Sequence, residues 1–170
     1  MFLYLTSGTP DFMEKVRKKH KKEDMVVLHG SGNSLLLHET EGKTKFATPR
    51  KFEVIDGINS IEQRGYFVLN NIPVTDEGRP IFEKRFLNRS SAFTDEPGFI
   101  AYRLLRPIKS DIYIVLTQWT GPHSFEAWKN SKKFIEAYSK QEAIPGVDKQ
   151  NIFNAASYIT TYSGKLLEEN

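Results

Sequence analysis

There is no cysteine in this 170-residue chain. That excludes a disulfide framework, thiolate catalysis and Cys-ligated zinc or iron–sulfur sites. It also fits a reducing compartment. No apolar run is long enough to span a bilayer. The opening MFLYLTSGTPDF has no basic flank before its short apolar run and no small-residue cleavage site after it. The expectation is a cytoplasmic protein with no membrane partner. An excess of either charge is small as well: 24 Lys and Arg stand against 21 Asp and Glu. The net value is +3, and much of it comes from the run Arg17-Lys18-Lys19-His20-Lys21-Lys22. A single basic run without stacking aromatics nearby reads as a solvated helix end that complements the C-terminal dipole, and not as a nucleic-acid surface. G-x-S-x-G, H-E-x-x-H, P-loop and dinucleotide-binding fingerprints are all missing.

What is present is a chain of medium-domain length with enough apolar residues for a real core. Phe2–Thr6 reads as a strand. Thr9 and Pro10 form an N-cap and first helical position, and Phe12 and Val16 share a face of the helix that follows. That helix is expected to end near His20. Met25–His29 and Ser34–His38 are apolar strands joined by a hairpin turn at Gly30–Asn33. Lys45–Ala47 is expected to continue a strand, and Pro49 to open a short helix through Phe52, Val54, Ile55 and Ile58. The second half starts with a strand at Tyr66–Ile72. A helix is expected over about residues 77–90, with Ile81, Phe82 and Phe86 as its apolar stripe. Phe99–Arg106 is a strand stopped by Pro107. Ile112–Trp119 is the most apolar strand and is placed centrally. A helix carrying Phe125 and Trp128 follows, then Phe134, Ala137 and Tyr138 on one face, and a closing strand at Ser157–Tyr162. Strand–helix–strand–strand–helix thus occurs twice. That order is the split βαβ, or ferredoxin-like, pattern. The fold class expected is α+β, with an N-terminal half over residues 1–64 and a C-terminal half over 65–170.

Four groups of residues are candidates for chemistry. Asn71 is in phase with Phe67 and Leu69 at a strand end; it either lines a pocket or bonds into the next turn. Trp128 is either a core aromatic or a pocket wall. Arg103, in phase with Phe99, Ala101 and Leu105, can pair with an anionic group or cover a sheet edge with its stem. His29 and His38 end neighbouring strands and would face each other as metal ligands, but no third ligand stands at a telling spacing.

Taken together, the block LNN-x-x-VT-x-EGRP-x-FE-x-RF, then EPGF-x-x-x-R-x-LRP, LT-x-W and F-x-x-W, running from Leu69 to Trp128, resembles the antibiotic biosynthesis monooxygenase (ABM) superfamily. Within it the likeness is to the longer heme-degrading monooxygenases of the HmoB type, relatives of the IsdG-type enzymes. The resemblance implies two ferredoxin-like sheets forming a barrel of the dimeric α+β type, with heme in a cleft between barrel and helices. It implies oxygen-dependent opening of the porphyrin, with heme as substrate and cofactor and electrons from an external reductase. It places the pocket asparagine on Asn71, where the amide orients oxygen, and the ring-distorting tryptophan on Trp128. The axial histidine position falls on Tyr138, which would ligate iron as phenolate, with His123 as the substitute ligand; Arg103 becomes a propionate partner. A related branch, the TRAP-type signal-transduction proteins, shares the Y-R-L-L-R-P block and also lacks the full set. The alternative is therefore a non-catalytic binding or stress-signalling protein on the same scaffold. With both halves on one chain, either a monomer or a homodimer fits.

Overall fold

A computed structural model describes residues 1–87, 90–93, 95–132 and 152–167. Eight strands form a closed barrel: β1 (Phe2–Gly8), β2 (Asp24–His29), β3 (Ser34–Thr40), β4 (Arg50–Ile58), β5 (Tyr66–Pro73), β6 (Phe99–Ile108), β7 (Ile112–Trp119) and β8 (Tyr158–Ser163). Among the described residues three α-helices lie outside it: α1 (Pro10–Lys19), α2 (Arg79–Phe86) and α3 (Pro122–Lys129). The circular order is β1-β3-β2-β8-β5-β7-β6-β4, every pairing is antiparallel, and β4 returns to β1. Each half has its strands in the same spatial order, fourth, first, third, second. The α+β class and the ferredoxin-like halves are as expected, and one chain supplies the whole barrel.

Alternation sorts the strands into two cores. Leu3, Leu5, Leu35, Leu37, Phe67, Leu69 and Leu116 point inward and fill the barrel. Val68, Ile72, Tyr102, Leu104, Tyr113, Val115 and Trp119 point outward from the C-terminal half, where Phe82 of α2 and Phe125 and Trp128 of α3 cover them. A smaller cluster of Met13, Met25, Val27 and Leu36 holds α1 on the N-terminal half.

Several expectations need correction. No helix opens at Pro49: Arg50–Ile58 is β4. Its helix-like spacing comes from a bulge between Val54 and Asp56. Phe52 and Val54 face the barrel interior, and past the bulge Ile55 and Ile58 turn to the outer core. Lys45–Ala47 is irregular, not strand. On α1 the buried residues are Met13 and Glu14, while Phe12 is exposed. The second helix is shorter than expected, and Ile81 is exposed. Pro107 lies inside β6. Pairing with β7 ends at Leu105, so beyond it β6 is bonded on one side only and tolerates a residue without an N–H.

The two halves join unequally. β4 pairs with β6 from Lys51 to Ile58, but β2 meets β8 at one pair, His29 with Ser163. Gln63 fills the gap. Its Oε1 accepts from Val27 N at 2.7 Å, and its Nε2 donates to Val27 O at 2.8 Å and Gly164 O at 2.7 Å. One amide side chain thus replaces a stretch of ladder. Gln63→Ala should lower stability by about 1–3 kcal/mol, because it strips partners from backbone groups in the barrel wall. Urea unfolding of the two proteins checks this, and a change within error would show that the seam closes without Gln63.

Candidate functional site

The two blocks that carry the family resemblance meet where α2 packs on β6 and β7. Arg106 donates to Glu83 (Nη2 to Oε1, 2.5 Å; Nε to Oε2, 2.9 Å) and to Glu53 (3.1 Å). Tyr113 OH donates to Glu83 as well. Arg79 donates to Tyr113 OH at 3.1 Å and to Pro107 O at 2.8 Å. The Arg106 guanidinium, outweighing partial burial, holds the Glu83 carboxyl below its ordinary range, with Tyr113 adding to the effect. Burial first, and Glu83 second, push the Tyr113 phenol up to about 12. This cluster is a clamp between α2 and the sheet. A carboxyl with a depressed folded-state pKa stabilises fully above its unfolded value and loses that contribution as pH falls through the folded one. Wild-type stability should therefore drop between neutral pH and about pH 3, and Glu83→Gln should be less stable at neutral pH with a shallower acid slope. Parallel slopes in chemical denaturation would contradict the clamp.

The candidate residues fall on both sides of the sheet. Asn71 points into the barrel. It is 4% exposed, and its Nδ2 donates to Leu69 O, Tyr158 O and Thr160 Oγ1 at 3.1–3.3 Å. Trp128 belongs to the outer core. It stacks on Phe93 at 4.8 Å between centroids, lies 5.6 Å from Trp119, and donates Nε1–H to Ala92 O at 3.1 Å. The expected slot with Asn71 and Trp128 facing each other does not exist, since one strand cannot present the same residue to both faces.

The amide on the Trp128 side is Asn70. It follows Val68 and precedes Ile72 on the outward face of β5, opposite Val115. Its Oδ1 is buried without a hydrogen-bond partner among the described residues, as is Trp119 Nε1. Native interiors rarely leave such atoms unmet, so they are candidate contact points for a bound group. Counting alternation along YFVLNNI contains this signal. Phe67, Leu69 and Asn71 form one set, and Tyr66, Val68, Asn70 and Ile72 the other.

Arg103 is not available as a propionate partner. It is 8% exposed, grips Glu39 through Nε (2.6 Å) and Nη2 (3.3 Å), and donates Nη1 to Ile58 O and Tyr102 O. Gly57 permits this, because a Cβ there would meet Arg103 Cδ at 3.1 Å. His123 is exposed in the first turn of α3, turned away from the Phe125 and Trp128 face, so it is not placed to replace an iron ligand. His29 and His38 stand at opposite ends of the β2–β3 hairpin, opposite Ser34 and Met25 respectively. His29 bonds Glu14 (2.7 Å) and Ser34 (2.6 Å), while His38 bonds Glu23 (2.9 Å) and Thr44 (3.0 Å). They do not share a metal, and no cluster of three metal-ligating side chains occurs among the described residues. Phe134, Ala137 and Tyr138 lie outside the described residues.

The family model for antibiotic biosynthesis monooxygenases matches residues 65–140. That stretch is an ABM domain. It supplies β5, β6, β7, α2 and α3, and therefore the face with Asn70 and Trp128. Over 140 residues the chain is 26% identical to the signal transduction protein TRAP of Staphylococcus epidermidis, covering 82% of this chain and 84% of that one. A solved structure of a major regulator of staphylococcal pathogenesis has a TM-score of 0.84 at 24% identity, covering 97% and 99% of the two chains. A heme-degrading enzyme from Listeria monocytogenes has a TM-score of 0.71 at 21% identity, covering 96% and 99%. The ABM fold is thus shared by a regulator and an enzyme. No helix among the described residues is long and apolar enough to cross a membrane.

Proposed function

We propose that this ABM protein binds heme between the outer face of its C-terminal sheet and the helices over it, and degrades the heme with electrons from an external reductase. The observation that carries the reading is the buried Oδ1 of Asn70, without a hydrogen-bond partner among the described residues, on the outer face of the C-terminal sheet, whose core includes Trp128. Heme, when bound, supplies both the ring to be opened and the iron that activates oxygen. Asn70 gives the site its one amide, fixed by the strand and surrounded by apolar groups, where a hydrogen bond counts for more than in water. Trp128 gives a flat indole wall held by α3 and by its bond to Ala92. Tyr138 is the proposed iron ligand on the resemblance alone. Its phenolate needs positive charge or the metal for stability, since the free phenol titrates near 10. Arg103 and His123 have no part in this site.

A second reading is a regulator that does not turn heme over. It is supported by the likeness to TRAP over more than four-fifths of the chain, and by the way Trp128 is already enclosed in an aromatic stack.

Hemin added to the purified protein should give a stoichiometric Soret band, which then decays in air with ascorbate or a flavin reductase and catalase present. Asn70→Ala should slow the decay by at least about tenfold, the effect of losing about 1.4 kcal/mol of transition-state stabilisation. A stable Soret band under reductant would leave a heme carrier. No spectral change on adding hemin would favour the regulator.

A further inference from the structure

The barrel interior is plugged at one end and open at the other. The Arg103–Glu39 pair fills the end where β3 finishes and β4 ends at Ile58, next to Gly57. Leu3, Leu37, Phe52 and Leu105 pack the middle. At the other end lies a cavity of about 410 Å³, with Leu5, Leu35, Leu69, Asn71, Thr160 and Arg50 among its walls. It forms because β8 runs past the end of β2, so its tip has no neighbour on that edge among the described residues. Tyr158 is accordingly 49% exposed.

We propose that this open end of the barrel is a binding site for a small hydroxylated organic anion, separate from the outer face. Three observations fit together. Asn71 spends its Nδ2 on three acceptors of β5 and β8, which fixes the amide and leaves Oδ1 as an acceptor in the cavity wall, with no hydrogen bond among the described residues. Three leucines flank it and suit a ring or short chain. Arg50 is the only charged side chain in the lining among the described residues. It rests over the Phe52 ring at 5.3 Å and has no ion-pair partner among the described residues. An amide acceptor, apolar walls and a cation lining one cavity select a molecule that carries both a hydroxyl and a carboxylate. The volume lies in the range of small-molecule sites at barrel mouths. The site does not depend on the heme reading, since it faces the opposite side of the sheet.

The probe is 4-hydroxyphenylacetate, titrated into full-length protein with leucine methyls labelled for NMR. The Leu5, Leu35 and Leu69 methyls should shift saturably, and the Trp128 indole should not. Phenylacetate, which lacks the hydroxyl, should bind about fivefold more weakly. Tyramine, which keeps ring and hydroxyl but reverses the charge, should bind more weakly still. Arg50→Gln, at an exposed position, should weaken the probe about fivefold. Asn71→Leu should abolish binding, and if it fails to fold, the Arg50→Gln and ligand arms decide alone. No saturable shift up to about 10 mM would overturn the proposal. So would equal binding of tyramine, indifference to Arg50→Gln, or shifts centred on Trp128.

Discussion

Replacing Glu39 with alanine should cost the barrel about 3–5 kcal/mol, the usual range when one member of a buried ion pair is removed. The cause is not the lost attraction alone. The Arg103 side chain is 10% exposed and Glu39 15%, so the guanidinium left behind would be a nearly desolvated charge with only the carbonyls of Ile58 and Tyr102 as partners. Arg103 is also pinned across Gly57, which limits its escape to water. The double variant Glu39→Leu with Arg103→Met should recover most of the loss, because an apolar plug removes the unpaired charge. Thermal and urea unfolding would measure both. A loss under 1 kcal/mol in the single variant would mean that the pair is solvated and does not plug the barrel.

Trp128→Ala should be nearly as damaging, at about 3–5 kcal/mol. The indole is 4% exposed, and it supports Phe93, which in turn stacks on Tyr102 at 4.8 Å and Phe99 at 5.2 Å. Truncation removes this contact and leaves Ala92 O without its donor. Trp128→Phe should lose less than half as much, because a ring still fills the stack. The same pair of variants separates a structural role from a ligand role. A tryptophan that only packs would leave hemin affinity unchanged in Trp128→Phe at temperatures where the variant is folded. A pocket wall would show weaker hemin binding there.

The fold was largely legible because most strands alternate cleanly and the turn residues stand where turns are needed. Thr9 caps α1 with its Oγ1 accepting from Phe12 N at 3.4 Å, and the Gly30–Asn33 turn closes with Gly30 N to Asn33 O at 2.9 Å. β4 has the spacing of a helix in the sequence because a single bulge shifts the alternation of a strand. The Pro107 break failed because a proline is harmless where the outer ladder has already ended. At the candidate site, the residue types were legible but their side of the sheet was not. LNN holds two adjacent amides, and adjacent strand residues face opposite ways. Only the packing tells which face lies under the helices. Long-range partners such as Glu39 for Arg103, 64 positions apart, leave no local trace. Gln63 looks like an ordinary polar linker residue until the β2–β8 gap is seen.

The most direct test of the account is an equilibrium hemin titration, without reductant, of wild type, Asn70→Ala and Asn71→Ala, followed at the Soret band. With the site on the outer face, wild type should saturate at one heme per chain, and Asn70→Ala should weaken binding or shift the band more than Asn71→Ala does. A band that never forms, or one that is lost only when Asn71 is changed, would contradict it.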